Sequence, residues 1–386
     1  MRPLRFIGAG PVAGALAAVA ILWPAAPPSA ASCRPVGAVP APSRGSFDGL
    51  YGVSAVSNND VWAAGRYIGA NSADKTLVEH WDGARFRQVT SPDPQPNDVL
   101  FGVEAVSGTD VWAVGETWPA TAEVDSPLAE HFDGSSWTVV PLPALPSGSG
   151  LLRGVAAGSP GDVWAVGSEL SGPADSNAAT LTEHWDGTAW HVVSSPDPGR
   201  YGNYLDSVTV VSPRDVWAVG TSGTTAHGTA TLIEHWDGTR WSVVPSPDAG
   251  IQDSLASVAA VSAGDVWAAG DYFTDTGGGS RVLTLALHFN GKQWSQVASP
   301  SPDAHNNFLA ITAVSSRDVW AVGGSDSGAA ALVEHWNGAR WRVAAEPYRH
   351  GGANFLYAVS AGAGPGVWAA GSLSGNQTLA LHFCRA

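Results

Sequence analysis

Cysteine is nearly absent from this 386-residue chain, which has two, Cys33 and Cys384, one near each end. Lysine occurs twice, as Lys75 and Lys292, so almost all the positive charge is arginine, a bias that points to a GC-rich bacterial gene. Positive charge is scarce overall: 19 Lys+Arg stand against 34 Asp+Glu, a net charge of −15. Such a surface repels the phosphates of nucleic acids and of anionic lipids, and leaves neutral or cationic ligands as partners. No His-Glu-x-x-His, no Gly-x-Ser-x-Gly and no phosphate-binding loop occurs, which removes the motif-bearing metalloproteases, serine hydrolases and nucleotide enzymes. After residue 23 no apolar run is long enough to cross a bilayer.

Residues 1–32 read as an export signal. Arg2 and Arg5 precede an apolar run over 6–23, interrupted by Gly8, Gly10 and Pro11, and a small, Pro-rich exit ends in Ser29-Ala30-Ala31. The expectation is a secreted, extracellular, monomeric mature chain with no membrane span. Ala30-Ala31-Ser32-Cys33 also resembles a lipoprotein processing site, which would instead anchor Cys33 at the cell surface by a lipid.

What the chain has in abundance is itself. Asp-Val-Trp-Ala recurs at Asp60, Asp110, Asp162, Asp215, Asp265 and Asp318, and a seventh copy opens at Gly366. A period near 50 residues predicts an array of small sheets closed into a ring: one all-β, seven-bladed propeller of four-stranded antiparallel blades over 33–386. In the fourth unit, 205–212 alternates as a first strand. A second strand over 216–219 ends at Gly220, a third covers 231–236, and Asp237-Gly238 turns the chain into a fourth over 240–244.

The spacings orient each unit. Ten residues separate the first-strand Leu (Phe308 in unit six) from the Asp or Gly that opens Val-Trp-Ala in all seven copies. The interval from there to the third-strand His varies from 16 to 23. One face therefore carries tight, uniform turns and the other carries the variation, where function tends to sit.

The seventh unit stops after three strands, so residues 33–47, with Val36 at the aromatic position, are expected to supply its outer strand. In the repeat frame Cys33 and Cys384 fall where Asp-Gly stands elsewhere, which predicts a disulfide across the cut hairpin.

Adjacent Glu and His recur as Glu79-His80, Glu130-His131, Glu183-His184, Glu234-His235 and Glu334-His335, with Leu287-His288 and Leu381-His382 in the other units. Neighbours on a strand point to opposite faces, so these are not acid–base dyads, and seven histidines spread around a ring cannot share one metal. Each His is expected to be a buried hydrogen-bond node in its blade. Two residues before the first-strand Leu stands a collar of Asp48, Asp98, Gly150, Asn203, Asp253, Asn306 and Asn354. It reads as a turn device or, with Asp48, Asp98 and Asp253 as ligands, as a seat for Ca²⁺; no other cofactor is expected. Trp118, Tyr201, Tyr204, Tyr272 and Tyr348, with Glu116 nearby, break the repeat on the variable face and are the candidate ligand-binding residues.

Val-Trp-Ala-Val-Gly followed by a later Trp-x-Val-Val resembles tectonin-type lectin repeats and the sensor propellers of bacterial receptors. His, Trp and Asp in each unit resemble WD repeats, although the Gly-His and Trp-Asp dipeptides are displaced, and the repeat length is similar to kelch without its paired glycines. These resemblances imply a propeller and carry over no family's ligand residues. The expected function is a secreted, non-enzymatic binding or scaffold module that recognises a glycan or a protein through its variable face. The alternative is a carbohydrate-active hydrolase or lyase with Glu104, Asp98 and Asp253 near the axis.

Overall fold

The computed structural model describes residues 41–385 apart from 43–44, 70–71, 121–124, 172–177, 226–227, 276–278, 326–330, 345–353 and 374–376. They belong to one compact unit, Pro35–Ala386. The expected export signal over 1–32, Cys33, Val36 and Tyr348 lie outside the described residues.

Among the described residues there are twenty-seven strands and no helix. Blade one consists of β1 (Asp48–Ser57), β2 (Asp60–Ile68), β3 (Asp74–Trp81) and β4 (Phe86–Val89), antiparallel and paired in that order. The same order repeats in blades two (97–139), three (150–192), four (203–243), five (252–296) and six (306–343). Blade seven (354–384) shows three strands. Blades four and five are joined by one parallel pairing, Thr229 with Gln252.

Each first strand packs against the first strands of its neighbours, so these innermost strands encircle the axis. Blade seven meets blade one directly. Ser57 bridges Ala363, Ala55 N donates to Ser360 Oγ at 3.1 Å, and Gly366 N donates to Asn58 Oδ1 at 3.0 Å. Among the described residues the ring is therefore closed by direct contact of blades seven and one. Of the expected closing segment over 33–47, residues 33–40 lie outside the described set, while Ala41 packs on the core shared by blades one and seven.

That core is a relay of tryptophans. Trp62 of blade one meets Phe132 and Trp137 of blade two at 4.8 and 5.8 Å between ring centroids. The pattern passes through Trp112, Trp164, Trp217 and Trp267 to Trp368, which meets Trp81 and Phe86 of blade one at 5.1 and 5.8 Å. Each blade thus wedges its large ring into the next.

The tight turns between third and fourth strands have four residues, not the two of a minimal Asp-Gly hairpin. Asp237 Oδ1 accepts the N–H groups of Thr239 and Arg240 at 2.8 and 3.0 Å, and Gly238 takes φ +92°, where a side chain would be strained. Units with Asp82, Asp133, Asp186, Asn290 and Asn337 build the same turn.

The repeated His is a node, but it is not buried. In six blades its Nε2 lies 2.8–2.9 Å from Oδ1 of the Asp that opens the second strand, and its side chain stays 25–28% exposed at the rim of the tight-turn face. Only His382, opposite Gly366, is buried. The preceding Glu is what the blades enclose. Glu79, Glu130, Glu183, Glu234 and Glu334 have no exposed surface, and neither oxygen of any of them has a hydrogen-bond partner. Burial pushes their carboxyls up to about 8, and Glu130, with Asp93 and Asp98 nearby, to about 9.

Candidate functional site

Every first strand contains a β-bulge at one position. Pairing with the second strand slips between the Leu (Phe308 in blade six) and the residue two beyond it, so the intervening residue has no partner across. A bulge re-aims the side chain it frees. The repeat provides for it: opposite each bulge stands the Gly that ends Val-Trp-Ala-x-Gly. A Cβ on Gly65 would fall on the carbonyl oxygen of Gly49, and Gly115, Gly167, Gly220, Gly270, Gly323 and Gly371 face equivalent carbonyls.

The seven freed residues are Tyr51, Phe101, Arg153, Asp206, Ala256, Leu309 and Tyr357, and all line one cavity of about 450 Å³ at the mouth of the channel. Arg66, Val99 and Glu116 complete its wall from the residue after the repeat Gly and the residue before the repeat Leu. The scaffold is sevenfold and the lining is not. That contrast marks the mouth as the place where this chain has its own chemistry.

The lining divides into two arcs. On one side Tyr51 stands between Tyr357 and Phe101, with ring centroids 5.2 and 5.9 Å away. Arg66 Nε donates to Tyr51 Oη at 3.2 Å, and its guanidinium also pairs with Asp74 at 2.9 Å, which fixes the phenol's position. On the other side Arg153 pairs with Asp206, Nε to Oδ1 at 3.4 Å, and lies over the Phe101 ring at 5.2 Å. Burial pushes the Asp206 carboxyl up to about 6 against the opposing pull of Arg153. Burial also raises the Tyr51 phenol.

Glu116, expected at the variable face, lines this mouth. Glu104 reaches across to blade one, where Ser54 Oγ donates to its Oε2 at 3.4 Å, and burial pushes its carboxyl up to about 7. Asp98 and Asp253 are turned elsewhere. Asp98 accepts from Thr117 Oγ1 at 2.5 Å and from Gln95 N, and Asp253 accepts from the N–H groups of Ala249 and Gly250. No contact joins these three carboxylates among the described residues. Three further collar residues act alike: Asp48 accepts from Gly45 N, Asn203 from Gly199 N and Asn306 from Asp303 N. These five side chains hold the entering loops, at 0–2% exposure. Among the described residues no three His, Cys, Asp or Glu side chains are placed to hold a metal ion.

The loop aromatics are dispersed. Trp118 is half-buried opposite Asn97, Tyr204 is half-buried opposite Thr221, and Tyr201 is 46% exposed beneath Arg200. Tyr272 lines a separate outer cavity of about 420 Å³ with Arg281 and Gln296. The mouth residues themselves escaped the sequence reading, except Glu116. Their signal is a column of unlike residues directly after a column of identical ones.

No protein-family model and no curated protein matches this chain. Solved structures do. YCF48 bound to D1 peptide aligns with 90% of this chain and 100% of its own, at 16% identity and a TM-score of 0.54. A polysaccharide lyase, the ulvan lyase bound to its saccharide, aligns with 90% of this chain and 95% of its own, at 11% identity and 0.56. The Penicillium chrysogenum α-L-arabinanase complexed with arabinobiose aligns with 91% and 99%, at 12% identity and 0.52. The chain is a β-propeller repeat protein. At such identities the likeness is one of fold, and propellers of this kind hold peptides in one case and glycans in others. Among the described residues the propeller has no helix long and apolar enough to cross a membrane.

Proposed function

We propose that this propeller is an exported binding module that takes a carbohydrate at the mouth of its channel. The observation that carries the reading is the pairing of arcs: three contiguous aromatic rings, Tyr357, Tyr51 and Phe101, face the Arg153–Asp206 pair within one cavity. Aromatic faces stack on the C–H surface of a sugar, while guanidinium and carboxylate take its hydroxyls from the side. A glycan array with the intact protein tests the reading. Binding that is lost in Tyr51→Ala, with the melting temperature kept, supports it. Capture of a protein or peptide with no glycan dependence replaces it with the scaffold reading.

A second reading has one observation in its favour. Glu104 and Asp206 are carboxyls held at about 7 and about 6, within the range suited to general-acid work near neutral pH. This is the carbohydrate-active alternative, with Asp206 in place of Asp98 and Asp253.

A further inference from the structure

Four aromatic rings from three blades form one row that starts in the mouth and leaves it. Phe101 and Tyr51 are 5.9 Å apart between centroids, Tyr51 and Tyr357 are 5.2 Å apart, and Tyr357 and Phe355 are 6.1 Å apart and nearly parallel. All four are half-buried, so each keeps some open surface. Phe355 is seated by blade six, because a Cβ on Gly324 would strike its ring. The other six units have a side chain at that position: Arg66, Glu116, Ser168, Thr221, Asp271 and Ser372. Blade six alone has no side chain there, and Phe355 fills the space.

Past Phe355 the row opens into a second cavity of about 210 Å³, lined by polar groups that include Asp271, His305, Asn307 and Ser325. Asn307 Oδ1 accepts Gly324 N at 3.2 Å, so the residue that steadies the seat of Phe355 also faces this cavity. Asp271 Oδ1 accepts Ser254 Oγ at 3.1 Å and is thereby held on its own blade.

We infer that the ligand is a linear oligosaccharide of several units, with one unit in the mouth and the chain running over Phe355 into the second cavity. The inference rests on the carbohydrate reading of the mouth and adds length to it. A single sugar covers the mouth and leaves Phe355 and the polar cavity unused. A chain uses each further ring without a second loss of translational freedom, so affinity grows with length until the second cavity is filled.

Titration calorimetry with cellulose, arabinan and ulvan fragments of two, four and six units tests this. For whichever series binds, the six-unit fragment is expected to bind about tenfold or more tightly than the two-unit one. Phe355→Leu, which keeps apolar volume but removes the ring, should return the six-unit fragment to the affinity of the two-unit one and leave the latter unchanged. Asn307→Ala should act in the same direction. Tyr51→Ala should weaken every length. Equal affinity at all lengths, or equal weakening of short and long fragments by Phe355→Leu, overturns the inference while the mouth reading survives. No binding at any length overturns both.

Discussion

Glu234 and His235 are consecutive, yet one carboxyl is sealed between blades without a hydrogen bond while the other side chain meets Asp215 Oδ1 at 2.8 Å on the rim. One strand thus carries a buried acid on one side and a half-exposed node on the other, as alternation requires. The two columns make opposite predictions about stability.

Truncating the node should harm the fold and spare the site. His235→Ala leaves Asp215 without its imidazole and removes the ring that packs, tilted, on Trp217 at 4.3 Å between centroids. The expected cost is about 1–3 kcal/mol in chemical denaturation. Ligand affinity at the channel mouth should not change. Unchanged stability with lost binding would make the repeated histidines functional.

The buried acids should make the protein more stable in mild acid than in mild base. In the unfolded chain a Glu titrates near about 4.3, and in the fold these five sit at about 8 to 9. Between those values the fold holds protons that the unfolded chain has released. Stability is then full below the lower value and declines as pH rises towards the upper. Urea midpoints measured from pH 5 to 8 should fall steadily. Glu234→Leu, which copies Leu287 of blade five, should flatten the slope and raise the midpoint at pH 8. A midpoint that climbs with pH would show the carboxyls to be ionised and paired.

The two cysteines should be linked. Cys384 ends the last strand, among the described residues no cysteine is free, and Cys33 is the one other cysteine in the chain. Non-reducing peptide mapping of the purified protein should recover Cys33 joined to Cys384, and reduction should lower stability by about 3–5 kcal/mol. Two free thiols, or an acylated Cys33, would remove the disulfide.

Cleavage of a glycan would show itself at Glu104. If the wild-type protein shortens a fragment of arabinan or ulvan, Glu104→Gln should abolish the reaction while leaving fragment binding within about twofold. Binding without cleavage in the wild type keeps the protein a binding module.

The fold was legible because its determinants repeat. A constant ten-residue step fixed the first hairpin, Asp-Gly fixed the second, and seven Val-Trp-Ala strings counted the blades. The repeated histidines were expected inside, yet the blades enclose the glutamates beside them; Leu287 and Leu381 in the glutamate column were the available hint. Tyr51, Phe101, Arg153, Asp206 and Tyr357 stayed hidden for a different reason. Simple alternation sends the residue after the repeat Leu towards the neighbouring blade, and only the bulge swings it into the channel.

That bulge separates two kinds of change. The Leu before it is fixed by core packing and the Gly across from it by backbone clearance, while the freed residue answers to neither. The mouth is therefore a seven-position combination lock on a stock body, whose dials turn without disturbing the frame. Exchanging Arg153, Asp206, Ala256 or Leu309 singly should alter what the ring accepts far more readily than whether it forms, which makes this propeller a natural frame for selecting new specificities.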